Sequence, residues 1–111
     1  IDLEAPRRDH AGIADAILLP SERARWLALP REAQNADLIR SFSLKEAIYK
    51  AIDPRYRRYV DFREVSVEAL PDGTAVVEWL LAERETPPAR IELRWARFQA
   101  DAWLCTARAF W

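Results

Sequence analysis

The sequence predicts an α+β fold, helices first and antiparallel strands after. Two observations lead there. Apolar residues recur with helical spacing between residues 21 and 52, and every second residue is apolar in stretches beyond residue 64. The prolines (6, 20, 30, 54, 71, 87 and 88) fall at the changes of pattern, where the missing N–H and the fixed φ end regular structure. A length of 111 residues fits one small domain with a thin core.

Ile1, Asp2, Leu3 and Glu4 alternate apolar and acidic, as a strand end does, so Asp2 and Glu4 share one side and Ile1 and Leu3 the other. Pro20-Ser21-Glu22 reads as a helix start with Ser21 as N-cap, running to about Leu29. Pro30 separates it from a longer helix over 31–52, which Asp53-Pro54 stops because the residue before proline disfavours the α region. Val65, Val67 and Ala69 alternate with polar residues, Pro71-Asp72-Gly73-Thr74 has turn chemistry, and 75–82 returns as a second strand. Ile91, Leu93 and Trp95 form one face of a third strand, and Trp103, Cys105, Ala107 and Ala109 one face of the last. The expectation is one long helix and shorter helices packed on an antiparallel three-stranded sheet, its strands following one another as a meander.

Composition excludes several functions. With 17 basic and 18 acidic residues the chain lacks the cationic surplus a nucleic-acid binder needs. A single cysteine, Cys105, rules out an internal disulfide and favours a cytoplasmic protein. No apolar run reaches the roughly 20 residues that span a bilayer, and two glycines, Gly12 and Gly73, leave no glycine-rich phosphate loop. The chain contains no methionine, which suggests a piece of a longer polypeptide.

One helical position is anomalous. Leu38, Ile39, Phe42 and Tyr49 share a stripe of the long helix, and Glu46 falls in its middle, with Lys50 one turn later and Lys45 on the flank. Buried carboxylates are costly unless paired or metal-bound. An ordinary i,i+4 pair of Glu46 with Lys50 is one explanation. Two like charges at Asp2 and Glu4 suggest a cation instead, and three carboxylates suit Mg²⁺, which keeps waters and takes further oxygens from substrate phosphates. A solvated strand end explains Asp2 and Glu4 equally.

IDLE (residues 1–4), followed about forty residues later by FSLKEAIYK (residues 42–50), resembles the paired signature of the 4′-phosphopantetheinyl transferases, G-[I/V]-D-x-E and [F/W]-[S/A/C]-x-K-E-[A/S]-x-x-K. The segment AIDPRYRRYVDF (residues 51–62) is similar to the two-domain, enterobactin-synthetase-like members. The resemblance implies that Asp2, Glu4 and Glu46 hold Mg²⁺ and that Glu46 accepts the proton of a carrier-protein serine. It implies that Lys50 contacts the coenzyme A diphosphate and that Lys45 lies near substrate phosphate. The reaction implied is transfer of phosphopantetheine from coenzyme A to a serine of an acyl or peptidyl carrier protein, releasing 3′,5′-ADP. The expected fold is half of a pseudo-two-fold unit, with residues 1–111 as the C-terminal half. The glycine before Ile1, the S-x-S-H motif and the other basic residues of the N-terminal half are not in the chain, so that half or a second copy would complete the cleft. The alternative is a non-catalytic module of the same fold that binds a carrier protein or a nucleotide.

Of the remaining residues, His10 has no partner pattern for a catalytic triad and is expected in an exposed loop. Arg55, Arg57 and Arg58 interleave with Tyr56 and Tyr59, as a docking patch or a solvated basic turn would. Trp79 and Trp95 are expected in the core, as is Cys105. Trp26 and Leu27, with residues 17–19, fit either a face closing on the sheet or a carrier-protein surface.

Overall fold

The computed structural model describes residues 2–4, 11–56, 60–81, 85–99 and 102–111, the backbone alone at residues 2–4, 11–13 and 99. Ile1, His10, Arg57, Arg58 and Tyr59 lie outside the described residues. The elements are β1 (Asp2–Glu4), α1 (Ala11–Ile17), α2 (Pro20–Leu27), α3 (Arg31–Tyr56), a 3-10 turn (Phe62–Glu64), β2 (Val65–Ala69), β3 (Ala75–Trp79), β4 (Arg90–Gln99) and β5 (Ala102–Phe110). The class is α+β, built around one long helix. None of the described helices is long and apolar enough to cross a membrane.

Among the described residues, the strands do not continue one another in the single expected meander. β2 and β3 form a separate antiparallel hairpin, while β1, β5 and β4 pair in that order. The first strand thus meets the last, with Asp2 opposite Cys105 and Glu4 opposite Trp103. Such a pairing is invisible to local pattern because it joins the two ends of the sequence. The turn between β2 and β3 is tied to the other sheet. Gly73, at φ +89°, accepts at its carbonyl from the Trp95 N–H (2.8 Å), and the Trp95 indole N–H donates to the carbonyls of Leu70 (3.1 Å) and Thr74 (2.9 Å).

Helix α2 starts at Pro20 rather than after Ser21. Proline suits the first helical position, where the N–H has no partner anyway, and the Glu22 carboxylate accepts from the Leu19 N–H at 2.9 Å. Helix α3 runs through Pro54 to Tyr56 instead of stopping at Asp53. So near the helix end, proline removes only one backbone bond of the last turns. Helix α1 had no clear signature in the sequence.

The burial of α3 differs most from expectation. Leu38, Ile39, Ser43, Leu44, Lys45, Ala47, Ile48 and Ile52 are buried, and at 3.6 residues per turn they cover roughly two-thirds of the circumference. Two cores explain this. Ile39, Leu44, Ala47, Ile48 and Ile52 pack with Val65, Val67, Leu93, Trp103 and Cys105 of the sheets. Leu38 packs on the other side with Ala14, Ile17, Leu18 and Trp26, against which Phe42 and Phe62 lean. The buried Ile17, Leu18 and Trp26 are therefore core, and not the carrier-protein surface that was the other reading of these residues. Burying a large aliphatic side chain contributes about 1.5–3 kcal/mol, so Leu44, Ile48 and Ile52, all essentially inaccessible, anchor the helix.

Candidate functional site

The strand that carries the first motif packs against the helix that carries the second. Directly opposed residues of an antiparallel pair lie on the same face of the sheet. Trp103 and Cys105 are buried in the core beneath α3, so the register of β1 puts positions 2 and 4 on that α3-covered face. Helix α3 also packs against β1 itself. The side chains of Asp2 and Glu4 lie outside the described residues.

Glu46 is not in the middle of the buried stripe. It occupies the less buried sector of α3 with the half-buried Phe42 and Tyr49, and its side chain retains 31% exposure. Its carboxylate lies 3.9 Å from the ammonium of Lys50, which is 59% exposed. At that exposure the pair stabilises the helix by only about 0.3–0.5 kcal/mol. Both groups remain at the surface, where a third partner can reach them. Oxygen donors of this kind fit a hard divalent cation, with Asp2, Glu4 and Glu46 the residues that could hold it.

Lys45 points the other way. It is 2% exposed, and its Nζ donates to the carbonyl of Ile17 (2.7 Å), the Glu22 carboxylate (2.7 Å) and the carbonyl of Phe62 (2.9 Å). All three ammonium protons have acceptors inside the protein, which leaves none for the substrate phosphate expected from the sequence. Burial pushes the Lys45 pKa down from the ordinary lysine range, partly opposed by the hydrogen bond and charge of Glu22 and by the charge of Asp61.

Glu22 is the residue that sequence reasoning missed. It is 4% exposed, and its second oxygen accepts from the Val67 N–H at 2.8 Å. A glutamate in the first turn of a helix is normally a surface residue that favours the helix dipole, and nothing local indicates a partner 23 residues away. Arg40 is similarly cryptic. Its guanidinium lies over the rings of Trp95 (4.5 Å) and Trp103 (5.1 Å) and pairs with Asp37 at 2.7 Å, and the Arg97 guanidinium also lies over the Trp103 ring (4.7 Å). Arg40 and Asp37 line two clefts. One is of about 210 Å³ with Glu22, Arg25 and Val67, the other of about 340 Å³ with Ala33, Arg97 and Trp103. Arg55 is exposed and stacks on Trp111 (5.2 Å).

Fold and site together define an α+β protein whose first strand is held against one long helix bearing a surface Glu46–Lys50 pair. The family model of the 4′-phosphopantetheinyl transferase superfamily matches residues 1–107, and the chain belongs to that superfamily. A comparison with functionally curated proteins finds no match.

Proposed function

We propose that the protein transfers 4′-phosphopantetheine from coenzyme A to a serine of an acyl or peptidyl carrier protein, as the C-terminal half of a two-domain, pseudo-two-fold enzyme. The observation that carries this reading is the packing of β1, which bears the first signature segment, against α3, which bears the second, with positions 2 and 4 on the face that α3 covers. The fold thus brings the strand of the first motif and the helix of the second side by side, as a shared site requires.

Asp2, Glu4 and Glu46 would hold Mg²⁺, which when bound neutralises charge on the diphosphate and its leaving group. Lys50, exposed and on a flexible stem, reaches a diphosphate oxygen of coenzyme A as a compact point charge. Glu46 accepts the serine proton, directly or through one water. The serine Oγ attacks the phosphorus that carries the pantetheine arm, the bond from that phosphorus to the bridging oxygen breaks, and the electron pair leaves with 3′,5′-ADP. The chemistry needs no covalent enzyme intermediate, so positioning and charge supply the catalysis. The other half of the enzyme, or a second copy of this unit, completes the coenzyme A cleft.

Glu46→Gln in the complete protein tests the reading, because it removes the charge and the base while keeping the volume. Conversion of an apo-carrier protein to its holo form, followed by mass spectrometry with coenzyme A and Mg²⁺, is expected to fall by about 10²–10⁴-fold with the circular dichroism spectrum unchanged. Wild-type turnover in that variant would overturn the assignment.

A further inference from the structure

Helix α3 presents a problem that apolar burial does not solve. Its buried residues surround most of its axis, and the remaining sector carries the half-buried Phe42 and Tyr49. A helix with one apolar face is held in a single roll by that face. A helix whose buried residues are spread around most of its axis, polar Ser43 and Lys45 among them, has no single apolar face to set its roll, so directional contacts are needed to fix which way residue 46 points.

The buried pair of Glu22 and Lys45 supplies that direction. Lys45 is adjacent to Glu46 in the chain, and its ammonium is held by acceptors on three different segments: Ile17 at the end of α1, Glu22 in α2 and Phe62 in the 3-10 turn. Glu22 in turn is held by the N–H of Leu19, which precedes α2, and by the N–H of Val67 in β2. The contacts span 2.7–2.9 Å, and both side chains are almost inaccessible. Hydrogen bonds to ionised groups are short and strongly oriented. A small rotation of α3 about its axis would break several of them at once, leaving buried charges unpaired at a cost of several kcal/mol. With Lys45 fixed inward, Glu46 lies one residue further round the helix, about 100° away, in the sector where it is part-exposed beside Lys50.

We propose that Glu22 is a positioning residue for Glu46, acting through Lys45 to set the roll of α3 at the site. The assignment of a role to Glu46 in catalysis rests on the function proposed above; the positioning itself does not. Helix α2 and the segment before it thus belong to the machinery of the site although they contribute no group to it. The substitution Glu22→Gln removes the charge and turns an amide N–H toward the Val67 N–H, which then faces a donor instead of an acceptor. Glu22→Asp keeps the charge, shortens its reach and gives a milder form of the same perturbation if the glutamine variant does not fold.

The experiment compares these variants with Leu93→Ala, a core truncation on β4, in the complete protein. Amide ¹H–¹⁵N resonances of residues 45–50 are read first. Displacement of the Glu46 and Lys50 resonances in Glu22→Gln or Glu22→Asp, beyond that in Leu93→Ala, is expected. Equal or smaller displacement than in Leu93→Ala would overturn the proposal. Turnover is read second, on folded protein at saturating carrier protein. A fall in kcat of about 10–100-fold, as for displaced reacting groups, is expected. Displaced resonances with unchanged kcat would leave the positioning standing and refute the catalytic role of Glu46, which Glu46→Gln checks independently.

Discussion

Replacing either partner of the buried Glu22–Lys45 pair should destabilise the protein far more than a surface ion pair would, and the pattern of a double-mutant cycle can be worked out from the contacts. Lys45→Met leaves a carboxylate that is 4% exposed with two backbone N–H donors but no countercharge, and also orphans the carbonyls of Ile17 and Phe62. Glu22→Gln leaves an ammonium that is 2% exposed with only the weaker charge of Asp61 to offset it. Breaking a buried pair from one side costs about 3–5 kcal/mol, so the singles sum to roughly 6–10 kcal/mol. The double variant Glu22→Gln/Lys45→Met removes both charges, leaving the Ile17 and Phe62 carbonyls and the Val67 N–H without good partners. At about 1 kcal/mol or more for each such group it should cost about 3–5 kcal/mol, less than the sum. The expected coupling, from the middle of each range, is therefore about 4 kcal/mol. Urea unfolding followed by tryptophan fluorescence measures all four species, and a loss of 3 kcal/mol corresponds to at least about 12 °C in Tm for a domain of this size. If each single variant cost less than about 1 kcal/mol and the effects were additive, the pair would not be the buried, fully bonded unit inferred here, and the argument about helix roll would fall with it.

Two further outcomes follow from single contacts. Burial holds Lys45 below the ordinary lysine pKa, so between that lowered value and about 10.4 the unfolded chain binds the additional proton and stability from this group rises with pH; comparing urea unfolding of the wild type and Lys45→Met across alkaline pH should show the increment vanish in the variant, and an identical pH slope would contradict it. Gly73→Ala places a Cβ 3.2 Å from the Trp95 carbonyl oxygen at φ +89°; a loss of about 1–2 kcal/mol is expected for such a left-handed position, read as a shift in the urea midpoint, and an unchanged midpoint would show that the turn relaxes freely.

The comparison of sequence with structure divides along the range of the forces involved. Local pattern located β2 to β5 within a few residues, because alternation and turn chemistry are properties of neighbours. It placed the start of α2 at Ser21 and the end of α3 at Asp53, but terminal proline effects are weak enough for the surrounding packing to override them. In the stripe through Leu38, Ile39, Phe42 and Tyr49, Leu38 and Ile39 are buried in separate cores while Phe42 and Tyr49 between them are only half-buried.

The letters of the chain carry the chemistry: two acids spaced by two, a Lys-Glu-x-x-x-Lys helix, no glycine-rich loop and no cationic surplus. Those letters sufficed to suggest the superfamily that the match over residues 1–107 establishes. Which lysine faces outward is set by long-range packing. Lys45 and Lys50 are the same residue type on the same helix, and no local rule separates them. Lys45 is turned inward because Glu22, two backbone carbonyls and a closed core receive it there; Lys50 stays at the surface beside Glu46 because its part of the helix meets solvent. A charge can be buried only where the fold brings it enough partners, and those partners come from segments 17 to 28 residues away, beyond the reach of any pattern along the chain.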